Sequence, residues 1–194
     1  MINYTIDTNT RPAIYFALAV FAIFASFLAS PVFEIAHAKW LAPTTFGLFA
    51  LCVYLYDNYG WKNQVLAKWF GLPNLAGTYR GTVERGAPGS DQYERYEVKV
   101  SISQTWSKID MVLDSGDTLS HLRTCGFFVA NGRTPSLQYT YLVNDMKGHN
   151  DPSKYGEGTG KLYVTEEDGK LVLNGAYYSS KERSGAVHFT RIDG

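Results

Sequence analysis

Aromatic and short polar residues recur at two-residue spacing along the C-terminal two thirds of the chain. Gln104 and Trp106 form one such pair, and Tyr139 and Tyr141 form another. In an extended strand, residues two apart point to the same face, so each pair presents one combined surface. Aromatic rings stack on bases, while arginine and hydroxyl groups bind phosphodiesters. The pairs therefore indicate a surface that recognises a small ligand carrying bases and phosphates.

Alternation along the predicted strands directs a larger set of polar-tipped side chains inward. This set comprises Tyr79, Gln104, Trp106, Ser120, Tyr139, Tyr141, Tyr177 and Arg191. A purely structural core would hold aliphatic residues and Phe, because each buried polar atom needs a hydrogen-bond partner. The set favours an internal ligand cavity. The same pattern would also arise if the polar tips of the Tyr and Trp side chains reached the open ends of the β domain. Arg183 and Lys181 lie in a predicted hairpin at one end, where they could screen an incoming anion.

The same residues give no catalytic or metal-binding set. Ser120 and His121 are neighbours in a predicted strand, so they point to opposite faces and cannot form a nucleophile–base pair. His121 and Cys125 are about 13 Å apart at strand rise, too far to share one metal. The glycine-rich stretch 156–160 lacks the strand-then-helix context of a phosphate-binding loop. We therefore predict a binding protein without enzymatic activity, cofactor or metal.

Charge and cysteine content restrict the partners. The net charge is zero, and residues 74–194 hold 14 Lys and Arg against 15 Asp and Glu. A protein that binds nucleic-acid polymer normally carries a basic excess, so no such partner is expected. Cys52 and Cys125 give no disulfide framework, which mildly favours a reducing compartment.

Two apolar runs near the N-terminus are free of charged residues. Residues 12–33 are long enough for a membrane-spanning helix that Pro31 would end, and residues 40–56 are at the lower limit for a second span. We predict a two-helix transmembrane hairpin over residues 1–59, followed by an amphipathic linker helix over 60–73. A cleaved signal peptide is an alternative, because Ala36-His37-Ala38 resembles a cleavage site. A buried hairpin in a soluble protein is less consistent with runs that are apolar on every face.

Basic residues near the ends of the two runs predict the orientation. Arg11, Lys62 and Lys68 lie outside the hairpin, and Lys39 lies in the loop that connects its helices. Basic residues favour the cytoplasmic side. Both termini and the C-terminal domain are therefore expected in the cytoplasm.

From residue 74 onward the hydrophobic period becomes two, which is typical of strands. Turn residues delimit eight predicted strands, at about 75–85, 94–106, 107–114, 118–129, 136–147, 158–166, 170–179 and 184–192. Short connections favour an antiparallel meander that closes into an eight-stranded up-and-down β-barrel, with a two-sheet sandwich as the alternative. The fold class is thus a transmembrane α-helical hairpin plus an all-β domain over residues 74–194. The sequences of the fourth and seventh strands do not determine which of their faces points inward.

Several motifs in order along the chain carry a family resemblance. They are the segment 69–79 (WFGLPNLAGTY), Gln104-x-Trp106, Leu137-x-Tyr139-x-Tyr141, Gly158-Thr159, Leu173-x-Gly175-x-Tyr177-Tyr178-Ser179 and Gly185-x-Val187-x-Phe189. With the preceding apolar hairpin, they resemble the two-transmembrane β-barrel effectors of CBASS anti-phage immunity over the whole chain. Tyr79 stands where the family pattern has Trp. The His-x-Gly motif that the family has in the sixth strand is not intact, because His149 is separated from Gly158.

The resemblance implies a function in which a partner nucleotidyltransferase makes a cyclic dinucleotide during phage infection. The barrel would bind this ligand, the protein would form homo-oligomers, and the transmembrane segments would disrupt the bacterial inner membrane. Thr159 joins the predicted site through the Gly158-Thr159 motif. Two other functions fit the same architecture: a membrane-tethered, lipocalin-like carrier of a lipid or other apolar ligand, and a structural subunit with a filled barrel.

Overall fold

The protein is described by a computed structural model that covers residues 1–8, 10–35, 44–63, 72–86, 93–129, 134–145, 156–180 and 183–192. The chain divides into two compact units. One unit is Thr8–Phe70, and the other combines Met1–Asp7 with Gly71–Gly194. The first seven residues, which the sequence analysis grouped with the apolar hairpin, therefore belong to the unit that contains the β domain.

The unit Thr8–Phe70 contains helix α1, Thr10–Ile35, and helix α2, Thr45–Asn58, in its described part. Within α1, Thr10–Pro31 is the one described segment that is long and apolar enough to cross a membrane. The prediction that Pro31 ends this helix was wrong, since α1 continues to Ile35. A proline removes one backbone N–H, and a membrane helix can tolerate that loss.

Helix α2 begins at a capped N-terminus, where the Thr44 hydroxyl accepts a hydrogen bond from the Gly47 N–H at 3.1 Å. The Thr45 hydroxyl donates to the Ser26 hydroxyl at 3.1 Å and so joins α2 to α1. Its 14 residues rise ~21 Å, less than a full bilayer crossing. The two-span count is therefore not confirmed. A 3-10 turn at Gly60–Lys62 lies in the predicted linker helix, whose residues 64–71 are outside the described part.

Ten strands occur in the described part of the β unit. They are β1 Ile2–Asn3, β2 Thr5–Ile6, β3 Gly77–Arg85, β4 Glu94–Gln104, β5 Lys108–Asp114, β6 Thr118–Phe128, β7 Ser136–Asp145, β8 Gly156–Glu167, β9 Lys170–Ser179 and β10 Arg183–Arg191. Strands β3 to β10 pair antiparallel with their sequence neighbours, and β10 pairs with β3. This confirms the eight-stranded up-and-down barrel, and the predicted strand ends differ from the observed ends by at most two residues.

The two short N-terminal strands were not predicted. Strands β5 and β6 pair directly only from Val112 to Asp114 on β5, next to their connecting turn. Beyond that stretch β1 pairs with β5, and β2 pairs with β6 in parallel. Residues Met1–Asp7, which we name the N-terminal strap, therefore extend the sheet on both sides of this seam.

A bulge explains why the inward face of β6 could not be assigned from its sequence. The pairing of β6 with β7 shifts register between Leu122 and Thr124. Before the shift, the even-numbered Leu122 is buried, whereas after it the odd-numbered Phe127 is buried. One extra residue inverts the alternation, so neither parity is apolar along the whole strand.

Candidate ligand-binding cavity

The barrel encloses a cavity of about 230 Å³ near one of its ends. Its lining residues are Val83, Arg85, Tyr96, Met111, Leu113, Ser115, Thr118, Ser120, Leu122, Tyr139, Tyr141, Val143, Gly156, Tyr177, Ser179, Val187 and Phe189. Arg85, Ser115, Thr118, Gly156 and Ser179 are at strand ends or in a turn, so they mark the mouth of the cavity. Aliphatic side chains, tyrosine rings and hydroxyl groups thus share one enclosed space.

The opposite end of the barrel is closed by the segment that precedes β3. Leu75 is fully buried there, and its N–H donates to the Gln104 side-chain oxygen at 2.8 Å. The Tyr79 hydroxyl donates to the Leu75 carbonyl at 2.9 Å, and the Arg191 guanidinium donates to the Ala76 carbonyl. We call this end the floor. Its polar side chains satisfy backbone groups, as buried polar atoms must.

The N-terminal strap completes the floor. Tyr4 is 2% exposed, and its hydroxyl donates to the Trp106 carbonyl at 2.5 Å. Its ring meets Phe127 edge-on, with the ring centroids 5.0 Å apart. Trp106, itself buried, is consequently part of the floor rather than of the cavity lining.

Two glycines of β8 make room for two cavity tyrosines. In the pairing of β7 with β8, Tyr139 lies opposite Gly160, and Tyr141 lies opposite Gly158. A methyl group on Gly160 would come within 2.4 Å of the Tyr139 ring, and one on Gly158 would come within 2.5 Å of the Tyr141 hydroxyl. The glycine-rich stretch that resembled a phosphate loop therefore allows both rings to lie close to the β8 backbone.

The tyrosine hydroxyls of the cavity are uncharged at neutral pH. Burial raises the pKa of Tyr139 and of Tyr141 well above the ordinary value, and nearby tyrosines raise both further. Burial also raises the pKa of Tyr96 to about 12 and shifts the pKa of Tyr177 upward. Neutral hydroxyls can donate hydrogen bonds to an anionic ligand without repelling it.

Arg85 provides a positive charge at the mouth. Its guanidinium donates to a Glu94 carboxylate oxygen at 2.8 Å, across the pairing of β3 with β4. Among the described lining residues no other side chain carries a formal charge. A phosphate group that enters the mouth would therefore meet Arg85 as its cationic partner.

The ten residues predicted from the sequence occupy several places. Ser120, Tyr139, Tyr141 and Tyr177 line the cavity, whereas Tyr79, Gln104, Trp106 and Arg191 belong to the floor. Thr159 is exposed on β8, opposite Tyr178 of β9. Arg183 begins β10, and its side chain is outside the described part. The structure thus brings four of the ten together in the cavity, and ligand contact by any of them stays a prediction.

The sequence reasoning missed Arg85 and Tyr96. Arg85 shares the parity of the inward Tyr79 and Val83 on β3, and Tyr96 shares that of the inward Val98 on β4. Extending each alternation by two residues toward the strand ends would have found both.

A closed barrel with an enclosed, aromatic and hydroxyl-rich cavity defines a receptor for a small ligand. The family model described as "Cap15, cyclic dinucleotide receptor domain" matches residues 70–191, more than half of the chain. The chain belongs to this family, which confirms the resemblance to CBASS effectors and assigns the barrel a binding role for cyclic dinucleotides. No curated protein matches the chain.

Proposed function

We propose that the protein is a membrane-anchored CBASS effector whose cavity binds a cyclic dinucleotide and whose helices then disrupt the membrane. The observation that carries this proposal is a receptor-family match over the same residues that form an enclosed, tyrosine-lined cavity. The cyclic dinucleotide would come from a partner nucleotidyltransferase.

The size of the cavity suggests how the ligand is divided. A volume of about 230 Å³ is below the roughly 300–1,000 Å³ of pockets that enclose drug-sized ligands. One base would enter among Tyr139, Tyr141 and Tyr177, where aromatic rings can stack on it. The phosphodiester would stay at the mouth, within reach of Arg85 and of the Ser115 and Ser179 hydroxyls.

Adjacent tyrosines on β9 allow a matched test of this site. Tyr177 lines the cavity, whereas Tyr178 is 65% exposed on the outer face. We expect Tyr177→Ala to weaken binding of the full chain in detergent by about tenfold or more, the range for loss of one stacking ring, and Tyr178→Ala to leave it unchanged. Calorimetry with cyclic di-AMP, cyclic di-GMP and cyclic GMP–AMP measures this. Absence of binding by the unmodified chain to every member would contradict the proposed function.

The N-terminal strap supports a two-span topology. Residues Ile2–Ile6 pair with β5 and β6, so the N-terminus lies on the same side of any membrane as the barrel. If α1 crosses the membrane once, the chain must cross again before the barrel begins. The apolar run over residues 40–56 is the candidate for that return, and the basic residues outside the hairpin favour both termini in the cytoplasm.

Membrane disruption would follow from ligand-driven self-association. A ligand can shift an assembly equilibrium only if it binds the associating conformation more tightly. Two small residues of α2, Gly47 and Ala50, are three apart on one face of the helix and would let helices of neighbouring subunits approach closely. We expect the full chain in dye-loaded vesicles to release dye when cyclic dinucleotide is added, and Tyr177→Ala to release little. Ligand binding without dye release or change in oligomer size would refute this output while leaving the receptor role intact.

The barrel would act by binding alone. The described lining contains no carboxylate, imidazole or thiol side chain that could act as a general base or nucleophile. Recovery of unaltered cyclic dinucleotide after long incubation with the protein would support this, and a hydrolysed product would contradict it.

A lipid or other apolar ligand is the second candidate. The side chains of Met111, Leu113, Leu122, Val143, Val187 and Phe189 make part of the lining apolar. Native mass spectrometry of the purified chain would reveal a co-purifying lipid. The same measurement after addition of each cyclic dinucleotide would show whether the lipid is displaced. Retention of lipid in the presence of every cyclic dinucleotide would favour the carrier function.

A further inference from the structure

Two ion pairs lie side by side at the mouth of the barrel, on opposite faces of the sheet. Arg85 on β3 is paired with Glu94 on β4, and the adjacent Glu84 is paired with Arg95. The Arg85–Glu94 pair has a 2.8 Å contact, and Arg85 lines the cavity. The Glu84–Arg95 contact is 3.7 Å, and neither residue is among those that line the cavity. Arg85, the one cation among the described lining residues, is therefore already paired with Glu94 when no ligand is bound. We call this the inner pair and Glu84–Arg95 the outer pair.

An anionic ligand and Glu94 compete for the same guanidinium. The Arg85 side chain is 24% exposed and that of Glu94 is 61% exposed, so little interaction energy is lost when the carboxylate leaves Arg85 and moves into solvent. A phosphodiester that approached Arg85 with Glu94 still in place would face a like charge across the same guanidinium. Ligand binding thus requires either that Glu94 leaves Arg85, or that Glu94 and the phosphodiester both contact the Arg85 guanidinium, which lowers the affinity for the ligand.

We propose that Glu94 is a specificity-determining residue that occupies Arg85 in the empty barrel and is displaced by a phosphodiester of the ligand. This inference rests on the proposed function, because it assumes that the cavity binds an anionic nucleotide. Displacement lowers the affinity for every anion. The repulsion from Glu94 is stronger for a phosphate monoester, which carries about −1.5 to −2 charges at neutral pH, than for a singly charged phosphodiester. Glu94 therefore discriminates against inorganic phosphate and nucleoside monophosphates.

The test compares two Glu-to-Gln variants that change the net charge equally. We expect Glu94→Gln to bind the cyclic dinucleotide about two- to tenfold more tightly than the unmodified full chain, the effect of releasing a partly exposed ion pair and removing a like charge. AMP and GMP, whose phosphate carries more negative charge, should gain more, so the ratio of affinities for cyclic dinucleotide and monophosphate becomes smaller. An unchanged ratio would contradict a role of Glu94 in specificity. Glu84→Gln, which breaks the outer pair, should leave binding unchanged.

Arg85 variants separate displacement from a general charge effect. In the background of Arg85→Gln, which itself weakens binding, Glu94→Gln should give a smaller gain, because no guanidinium remains to be released and only the like charge of Glu94 is removed. Thermal unfolding of each variant in detergent verifies that it is folded. An equal or weaker affinity of Glu94→Gln, or an equal gain in Glu84→Gln, would overturn the inference. If the unmodified chain binds no cyclic dinucleotide, both the proposed function and this inference fail. If the unmodified chain binds the ligand but Glu94→Gln does not bind it more tightly, only this inference fails.

Discussion

At the scale of single residues, the cavity depends on close contact between tyrosine rings and the glycines of β8. We expect Gly160→Ala to destabilise the barrel by about 1–3 kcal/mol, because the added methyl group forces the Tyr139 ring to shift in a packed interior. The displaced ring would also obstruct the cavity and weaken ligand binding. Chemical unfolding and calorimetry of the full chain measure the two effects, with Glu166→Ala, exposed near the end of β8, as the control. Unchanged stability and binding in Gly160→Ala would contradict the contact at 2.4 Å.

Ionisation of the cavity tyrosines gives a second residue-scale prediction. Their pKa values are raised above the ordinary 10.0, reaching about 12 for Tyr96, so the folded state holds these protons more tightly than the unfolded state. Each tyrosine contributes its full stabilisation below pH 10.0, and the contribution of Tyr96 is lost as the pH rises to about 12. We expect Tyr139→Phe, which removes one such hydroxyl, to show a shallower alkaline decline in stability. Unfolding measured from neutral to alkaline pH tests this, and identical declines in both proteins would contradict it.

At the scale of secondary-structure elements, the N-terminal strap acts as a structural part of the barrel. Tyr4 packs on Phe127 and hydrogen-bonds the turn before β5. We expect Tyr4→Ala to cost about 3–5 kcal/mol, as for other buried aromatic residues replaced by alanine. Tyr4→Phe, which keeps the ring, should cost only about 0.5–1.5 kcal/mol.

Hydrogen exchange locates the effect of the strap. Loss of Tyr4 should accelerate exchange at Ile109, where β1 pairs with β5, and at Gly126 and Phe127, where β2 pairs with β6. Amides of β9, which has no contact with the strap in the sheet, serve as the internal control. Uniform acceleration throughout the barrel would instead indicate global destabilisation without a local role for the strap.

At the scale of the whole molecule, the strap distinguishes a retained anchor from a cleaved signal peptide. Cleavage after Ala38 would remove Tyr4 and both strap strands, leaving the β5–β6 seam uncovered. We therefore expect intact mass spectrometry of the membrane-extracted protein to find the first seven residues, and reporters fused at Met1 and Gly194 to lie on the same side of the membrane. A mature N-terminus near residue 39, or reporters on opposite sides, would contradict the two-span proposal.

The sequence by itself determined the eight strands of the barrel, because strand alternation and turn residues are local signals. Val98, Val100 and Ile102 alternate with exposed neighbours on β4, and all three are buried as that alternation requires. The same signal placed Tyr139, Tyr141 and Tyr177 inside the barrel. The sequence also identified the apolar run of α1, whose length and composition meet the requirement for a membrane span.

Only the tertiary structure decided which inward residues share the cavity and which close the floor. Alternation reports the face on which a side chain lies, but not its height along the barrel axis, so Tyr79 and Tyr139 looked equivalent. Their neighbours separate them, because Tyr79 bonds the Leu75 carbonyl, whereas Tyr139 lies against Gly160 beside the cavity. The bulge in β6 and the pairing of residues 1–7 with strands more than a hundred positions away were likewise hidden. Both depend on register between distant segments, which no local pattern of side chains encodes.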